Sequence, residues 1–421
     1  MEVLGPVRAE KRALKRLGDR FWSEYGGTSG ARPTLAILAR GFDDLLELIN
    51  KARARLKGAN PPLSPDQSHR LLWALDSERV SGELAWVFPG SGSHYHGLGR
   101  RLAMAFPHLM GRLEDQVSRL ADHFQSSVFW GAQTREVTPL QAILGQVSFG
   151  LLGAEVLDSF NIRPQAVMGY SLGETTALLA TGAWADREGL YDDLVKSNLF
   201  TQELAGPCLA ARRHFRWPDD RSFKWTMGVL LKPAPEIRAA LAKLAEPWAG
   251  RVFLMSINAP GEAVVGGEEG AVRALVQALG SSLIPLEGVA AVHNPTVAAV
   301  AEDYRRFHTR PTTPAAGLRY YSTALGRAYE PTMAGAADSL TEQAIRGLDF
   351  PKLIERAYAD GVRFFVEVGP GASTSRLIDI ILKGRPHLAA SLAPGPAEEG
   401  WLGVNRLLVE LWMAGYPLKM S

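Results

Sequence analysis

The feature that most constrains this fold is a short apolar strand that runs directly into a serine turn flanked by glycines. Residues 166–168 form the strand, residues 169–173 (GYSLG) form the turn, and a helical pattern follows at residues 174–182. A sharp strand-to-helix turn brings backbone close to backbone, so a Cβ atom at either glycine would clash. The turn projects the serine hydroxyl over a helix N-terminus, whose dipole favours developing negative charge. The pattern therefore predicts Ser171 as a nucleophile.

Strands, turns and helices alternate along much of the chain. Residues 83–88 read as a buried strand that enters the turn at 89–93 (PGSGS), and residues 140–152 carry an apolar helical stripe. This rhythm predicts an α/β fold, a large subdomain like an α/β-hydrolase with a mostly parallel sheet. Residues 225–286 instead read as βαββαβ, which predicts a ferredoxin-like small subdomain inserted into the large one.

These patterns divide the chain into four predicted parts. Residues 1–80 are an N-terminal linker subdomain, a basic helix at 8–16 and a glycine-rich loop at 25–32 followed by a strand–helix unit. Residues 81–222 and 287–390 form the large subdomain, and residues 223–286 form the small one. Residues 391–421 are predicted to be a C-terminal linker.

Composition excludes several classes of protein. The 421 residues carry 46 basic and 44 acidic side chains and no extended basic stripe, so nucleic acid is not expected as a partner. The single cysteine, Cys208, excludes an internal disulfide framework and cysteine-based metal sites, and it fits a reducing cytoplasm. No signal peptide is recognised, and the apolar stretch 137–154 is interpreted as a core helix and not a membrane span.

A serine hydroxyl needs a base to take its proton, and nine histidines are available. His94 and His96 resemble a pair of metal ligands, but no third ligand stands at a familiar spacing, so no metal site is predicted. His293 lies in the apolar run AAVHNP. From the residues alone it is either a base or a core histidine whose hydrogen bonds are satisfied within the fold.

Five motifs stand in a fixed order along the chain. They are FPGSGS at 88–93, GYSLGE at 169–174, NAP at 258–260 with VVGG at 264–267, VHNP at 292–295 and EVGPG at 367–371. This set resembles the acyltransferase domains of fatty acid and polyketide synthases over residues 83–390. In detail, GYS, FPGSGS and SNLF at 197–200 look most like the second acyltransferase of bacterial polyunsaturated fatty acid synthases.

The resemblance implies a role for each matching residue of the catalytic machinery. Ser171 would carry the acyl group as an ester, and His293 would deprotonate first Ser171 and then the incoming thiol. A backbone carbonyl, placed by ungapped alignment at or near Asp349, would orient His293. The oxyanion hole would consist of the backbone N–H groups of Leu172 and Ser91.

Several positions expected to bind the substrate depart from the family pattern. Tyr170 replaces a histidine, and Ile143 replaces a glutamine near the acyl pocket. Lys196 replaces the arginine that grips the free carboxylate of malonyl groups, and a lysine cannot offer the same bidentate fork. Val292 ends a segment of smaller residues than malonyl-selective members carry, and Asn258 is expected near the base.

The resemblance implies ping-pong transfer of an acyl group between coenzyme A and the phosphopantetheine thiol of an acyl carrier protein. Both serve as acyl carriers in the substrates, and no bound cofactor is expected. Acyl-CoA, the carrier protein and neighbouring synthase domains are the expected partners. The altered pocket favours a non-carboxylated acyl group, acetyl or longer. A malonyl-selective transferase, an editing thioesterase and a non-catalytic docking module stay open as alternatives.

Overall fold

The computed structural model describes residues 35–73, 80–132, 136–286 and 291–418. The predicted basic helix at 8–16 and glycine-rich loop at 25–32 lie outside these residues. Thirteen strands are assigned among the described residues: β1 (Leu35–Ile37), β2 (Leu71–Trp73), β3 (Glu83–Phe88), β4 (Ala166–Gly169), β5 (Trp225–Leu230), β6 (Val252–Ala259), β7 (Glu262–Glu268), β8 (Ile284–Pro285), β9 (Arg319–Ser322), β10 (Arg327–Tyr329), β11 (Leu348–Asp349), β12 (Val362–Pro370) and β13 (Leu388–Ala393).

Helices pack against both sheets. In the described residues, a short π-helix (Leu199–Glu203) and a 3₁₀-helix (Pro295–Val300) add to the α-helices. The α-helices are α1 (Phe42–Leu56), α2 (Pro65–Ser68), α3 (Arg100–Ala105), α4 (Pro107–Glu114), α5 (Leu120–His123), α6 (Ser126–Phe129), α7 (Pro139–Ser159), α8 (Leu172–Ala180), α9 (Arg187–Lys196), α10 (Leu209–His214), α11 (Ala234–Leu241), α12 (Glu269–Ala278), α13 (Ala301–His308), α14 (Met333–Arg346), α15 (Phe350–Ala359), α16 (Ser373–Ile381) and α17 (Trp401–Ala414).

The main sheet has six strands in the order β10-β9-β4-β3-β12-β13, and all neighbours are parallel except β9 and β10. The central strands β3, β4 and β12 are almost wholly buried, which explains why they read as continuous apolar runs and not as alternating ones. This confirms the predicted α/β class with a mostly parallel sheet.

Helix α7 is the long apolar helix of the core. Thr138 and Gln141 close a reciprocal capping box at its start, and Pro139 occupies the first turn, where its missing N–H is not needed. The helix is long and apolar enough to cross a membrane, but 72% of its most apolar window is buried inside the fold. It therefore packs as the core helix that the sequence predicts.

The small sheet has the strand order β11-β6-β7-β5-β8. Strands β5, β6, β7 and β8 with α11 and α12 give the predicted ferredoxin-like βαββαβ order, and β5, β7 and β6 pair antiparallel. The fifth strand, β11, comes from residues 348–349, beyond the predicted insert, and pairs parallel with β6. The two sheets are therefore joined by more than the insert's two ends.

The predicted C-terminal boundary at residue 390 is wrong. It falls inside β13, which is an edge strand of the main sheet. Helix α17 then packs its apolar face into the main core through Val404, Leu407 and Leu411. Residues 391–418 thus complete the large subdomain, because they cover an apolar sheet edge that a linker would leave open. At the other end of the chain, β1 and β2 pair antiparallel beside α1.

Candidate active site

Ser171 stands on a strained turn between β4 and α8. Its backbone has φ 55° and ψ −118°, a conformation that a serine adopts only when its surroundings enforce it. A Cβ atom at Gly169 would collide with the backbone of Gly173 and Glu174, and one at Gly173 would collide with the carbonyl of Phe88. The two glycines therefore allow the close approach that lifts the serine hydroxyl above the sheet.

His293 lies within hydrogen-bonding distance of that hydroxyl. The Oγ atom of Ser171 is 2.6 Å from Nε2 of His293, and Nδ1 of His293 is 3.0 Å from the backbone oxygen of Gln343. With Nδ1–H donating to that carbonyl, Nε2 is the acceptor for the serine proton. Burial lowers the pKa of His293 to about 4, so the ring is neutral near pH 7. The pair has the geometry and protonation state of a nucleophile and its base.

The carbonyl that orients His293 belongs to Gln343, so the prediction of Asp349 is wrong. Gln343 lies in the last turn of α14, where its carbonyl accepts from the amide of Gly347 at 3.2 Å and has a second lone pair for His293. Asp349 instead pairs with Ile257 in the small sheet, and its side chain caps α15 by accepting from the amide of Lys352 at 3.0 Å. The orienting carbonyl lies six residues before Asp349, because the sequence does not show where α14 ends.

The two predicted oxyanion donors, Leu172 and Ser91, both line the cavity into which Ser171 and His293 project. Leu172 is the first residue of α8, whose leading N–H groups lack helical acceptors. Within the described residues neither amide donates to another protein group. The loop before Ser91 is held by Gln146, whose Nε2 donates to the carbonyl of Gly90. Both amides are therefore free to donate to an oxyanion, which is the role that the sequence predicts for them.

The cavity beside Ser171 is mostly apolar and extends deep into the large subdomain. Its empty space is about 1040 Å³, part of which is open to solvent at the mouth. Ile143 and Val292 line it, as the sequence predicts. Among the described residues, Arg187 is the one lysine or arginine in its wall. The lining comprises Ser91, His123, Pro139, Ile143, Leu144, Val147, Ser148, Leu151, Ser171, Leu172, Thr175, Leu179, Arg187, Leu190, Tyr191, Leu194, Phe200, Val292, His293, Tyr304, Phe307, His308, Leu340 and Gln343.

Three predicted substrate-binding residues lie elsewhere. Lys196 ends α9 on the exposed surface and does not line the cavity. Tyr170 points to the small subdomain, where its hydroxyl is 2.8 Å from Oγ of Ser256 and 2.7 Å from Oδ1 of Asn258. Asn258 in turn donates to Glu262 at 3.1 Å. Tyr170 and Asn258 therefore tie the serine turn to the small sheet, and contact with the substrate is not their role.

Sequence reasoning missed four residues that shape the site. Gln343 and Gln146 position His293 and the Ser91 loop, and Arg187 lies in the cavity wall. Glu174, which follows the GYSLG turn in its motif, is buried and accepts from Oγ of Ser339 and the amide of Thr323. Burial raises its pKa to about 7. Only Glu174 had a sequence signal, because its motif places a carboxylate inside an apolar helix.

Comparison with known proteins gives a consistent set of relatives, although no protein-family model matches the chain. Polyketide synthase GfsE of Streptomyces halstedii is 28% identical over 79% of this chain and 8% of its own length. One component of the polyunsaturated fatty acid synthase of a Thraustochytrium species is 27% identical over 96% of this chain and 21% of its own length. The chain thus spans about a fifth or less of these two relatives. Malonyl CoA-acyl carrier protein transacylase of Bacillus subtilis is 25% identical over 73% of this chain and 93% of its own length.

Solved structures share the fold. The acyltransferase domain from the second module of the salinomycin polyketide synthase has a TM-score of 0.69 at 21% identity, covering 97% of this chain and 92% of that one. A malonyl transacylase of a type II polyketide synthase, solved with its acyl carrier protein, has a TM-score of 0.61 at 20% identity, covering 78% of this chain and 98% of that one. The chain is therefore similar, in sequence and in fold, to acyltransferase domains of polyketide synthases and to malonyl-CoA:acyl carrier protein transacylases.

Proposed function

We propose that this protein transfers an acyl group between coenzyme A and the phosphopantetheine thiol of an acyl carrier protein through an ester on Ser171. The observation that carries the proposal is the 2.6 Å contact between Ser171 Oγ and His293 Nε2 at the mouth of an apolar cavity. The relatives supply the reaction class, and the solved complex of a transacylase with its carrier protein supports the choice of partner.

The first half-reaction needs only groups that the site contains. Ser171 Oγ attacks the thioester carbonyl carbon while its proton passes to Nε2 of His293. The oxyanion of the tetrahedral adduct accepts from the amides of Leu172 and Ser91, and such donors lower the barrier by several kcal/mol, about 2.7–4 for one. The adduct collapses by breaking the carbon–sulfur bond, and His293 returns the proton to the departing thiolate. The products are acyl-Ser171 and free coenzyme A.

The second half-reaction is the reverse with a different thiol. The phosphopantetheine thiol gives its proton to His293, and the thiolate attacks the ester carbonyl. The carbon–oxygen bond then breaks, and Ser171 recovers the proton from His293. Because Nδ1–H stays bonded to the Gln343 carbonyl, the ring keeps the tautomer that both halves require.

The wall of the cavity supports a non-carboxylated acyl group. A malonyl carboxylate would lie only two bonds beyond the reacting carbonyl, among Ile143, Leu172 and Val292. Arg187 is bonded to the carbonyl of Leu179, about 12 Å along α8 from Ser171, so it does not reach that position. Burial lowers the pKa values of His293 and His308 to about 4, which leaves both rings neutral. Among the described residues, a bare carboxylate near Ser171 would therefore meet no cation.

Intact-protein mass spectrometry after brief mixing with acetyl-CoA, malonyl-CoA and decanoyl-CoA tests the proposal. We expect a mass gain of one acyl group with a non-carboxylated donor and none in Ser171→Ala. Addition of a holo acyl carrier protein should then move the mass to the carrier. Release of coenzyme A with free acid, and no transfer to the carrier, would show a thioesterase. A gain only with malonyl-CoA would overturn the proposed acyl group while leaving the acyl-serine mechanism.

A further inference from the structure

The cavity follows two parallel helices away from Ser171. Helix α7 presents Val147 and Leu151 at a spacing of four residues, so they lie on one face. Helix α8 presents Thr175 and Leu179 in the same way. The helices run in the same direction, because Gln146 reaches the loop at the mouth and a Cβ atom at Gly150, one turn later, would touch Thr176. Both walls therefore lead from the mouth into the interior.

The depth of the cavity can be read from the helix rise. Eight residues separate Ser171 from Leu179, and at about 1.5 Å per residue they span about 12 Å. An extended chain advances roughly 1.1–1.2 Å per bond, since three backbone bonds span about 3.3–3.6 Å. A span of about 12 Å takes roughly ten or eleven such bonds, and the first three (Cα–Cβ, Cβ–Oγ and the ester Oγ–C bond) precede the acyl chain. A straight acyl chain attached at Ser171 would therefore need roughly eight to ten carbons to reach the level of Leu179.

A cluster of side chains closes the far end. Arg187 donates to the carbonyl of Leu179 at 3.4 Å, which holds its side chain across the end of α8. Together with His123, Ser148 and Leu151 it lines both the cavity and a small separate void. These four residues thus form the partition between the two spaces. The void behind them is lined by Leu113, Val117, Leu120 and Phe124.

We propose that the cavity is a length-selecting pocket for a straight medium-chain acyl group of roughly eight to ten carbons. The chain lies extended between α7 and α8, and its last carbons contact Leu151, Leu179 and the aliphatic stem of Arg187. A two-carbon group would leave most of these apolar walls uncovered, whereas each added methylene removes more apolar surface from water. The inference deepens the proposed function, but the pocket binds the chain whether or not Ser171 reacts.

Binding of acyl-CoA to Ser171→Ala separates the pocket from the chemistry. Isothermal titration with straight-chain acyl-CoA of 2 to 16 carbons measures affinity in a protein that cannot be acylated. We expect the affinity to rise about three- to fourfold per methylene. The rise should stop near ten carbons, where the partition begins. An affinity that is independent of length, that falls from acetyl-CoA onward, or that is undetectable at every length would overturn the proposal.

Two substitutions at the partition should move the length limit in opposite directions. Leu151→Phe adds bulk at the far end and should shorten the preferred chain by two or more carbons. Leu151→Ala opens the partition towards the void beyond and should lengthen it. Leu152→Ala is the matched control, because Leu152 is fully buried on the same helix but faces away from the cavity. It should cost similar stability and leave the length profile unchanged.

The same acyl-CoA series, applied to the wild-type protein and measured by intact-protein mass spectrometry, tests the length-selecting pocket and the acyl-serine function separately. Acylation that peaks near ten carbons supports both. Acylation by acetyl-CoA alone, with a flat binding series, would overturn the length-selecting pocket and leave the acyl-serine function standing. Length-dependent binding without acylation by any donor would overturn the function and leave the pocket. An unchanged length profile in both Leu151 variants would overturn the role of the partition.

Discussion

The mouth of the cavity and its far end are built by different parts of the chain. At the mouth, the working geometry comes from backbone: the strained turn at Ser171, the carbonyl of Gln343 and the amides of Leu172 and Ser91. At the far end, the shape comes from side chains on α7, α8 and α9, such as Leu151 and Arg187. Backbone geometry persists through many side-chain substitutions, whereas side-chain walls change with each one.

This difference separates rate from selectivity. Substitutions at the mouth should change the rate of acyl transfer and leave the preferred chain length intact. Substitutions at the far end should change the preferred length and leave the rate for a short donor nearly intact. A variant that changes both the rate and the preferred chain length would contradict this separation.

The largest effect is expected from His293→Ala. Loss of the base should slow acyl-enzyme formation by about 10²–10⁴-fold, since general-base catalysis contributes about that much. Rapid-quench mass measurement on decanoyl-CoA checks the rate, and titration of the inert Ser171→Ala, His293→Ala double variant checks binding. If the double variant binds decanoyl-CoA as tightly as Ser171→Ala does, His293 contributes to the reaction and not to substrate binding. A change in preferred chain length would break the separation of mouth from far end.

Gln146→Leu should lower the rate about tenfold, less than the 10²–10³-fold that loss of an oxyanion donor itself costs. Gln146 Nε2 donates to Gly90 and, at 3.4 Å, to the carbonyl of Pro89, so its loss frees the loop that carries Ser91. Gln165→Leu is the control, because its Oε1 accepts from the amide of Leu84 at 2.8 Å, at the opposite end of β3. Equal losses of rate in both variants would contradict the positioning role.

The pH dependence should show a base with a depressed pKa. Burial lowers the pKa of His293 to about 4, so the neutral ring persists as pH falls from 7 to 5 and is lost only as pH falls through 4. The acylation rate should change less than twofold between pH 7 and 5. A histidine with the ordinary pKa of about 6.5 would lose about 25-fold over that range. Circular dichroism at each pH confirms that the protein stays folded, and a 25-fold loss without unfolding would contradict the buried base.

The smallest effect is expected from Lys196→Ala. Lys196 is exposed at the end of α9 and does not line the cavity, so acylation by acetyl-CoA and malonyl-CoA should each stay within about twofold of wild type. Lys224→Ala, which removes another exposed lysine, serves as the reference. A selective loss of malonyl transfer in Lys196→Ala would contradict this placement. It would show that Lys196 contacts the substrate carboxylate, as the sequence predicts, and that the end of α9 belongs to the mouth of the cavity.

Local patterns were sufficient to predict the central elements and Ser171, whereas His293 was predicted from its motif's resemblance to a known family. The predicted strand at 83–88 has the bounds of β3, since an apolar run before a glycine-rich turn can form little else. The turn at 169–173 has the predicted geometry because its glycines permit a close approach that other residues forbid. His293 followed from a motif, and its 2.6 Å contact with Ser171 agrees with that assignment.

Contacts between segments that are far apart in the chain could not be predicted from such local patterns. Whether Lys196 or Arg187 enters the cavity depends on how α9 is rotated against α8, and the two residues lie in the same helix. The same limit applies to Tyr170 and Asn258, which look like substrate contacts in their motifs but bind each other across two subdomains. Sequence distance carries no information about which face of an element meets a cavity.

By itself, then, the sequence determined the α/β class, the ferredoxin-like insert and the serine turn, because each depends on short-range sterics or on a contiguous motif. It pointed to His293 as the base only through the resemblance of its motif to a known family. Only the tertiary structure decided that Gln343 orients the base, that Arg187 and Leu151 close the cavity and that Lys196 lies outside it. These depend on the packing of helices far apart in the chain, where a rotation of one residue, about 100°, moves a side chain from cavity to solvent.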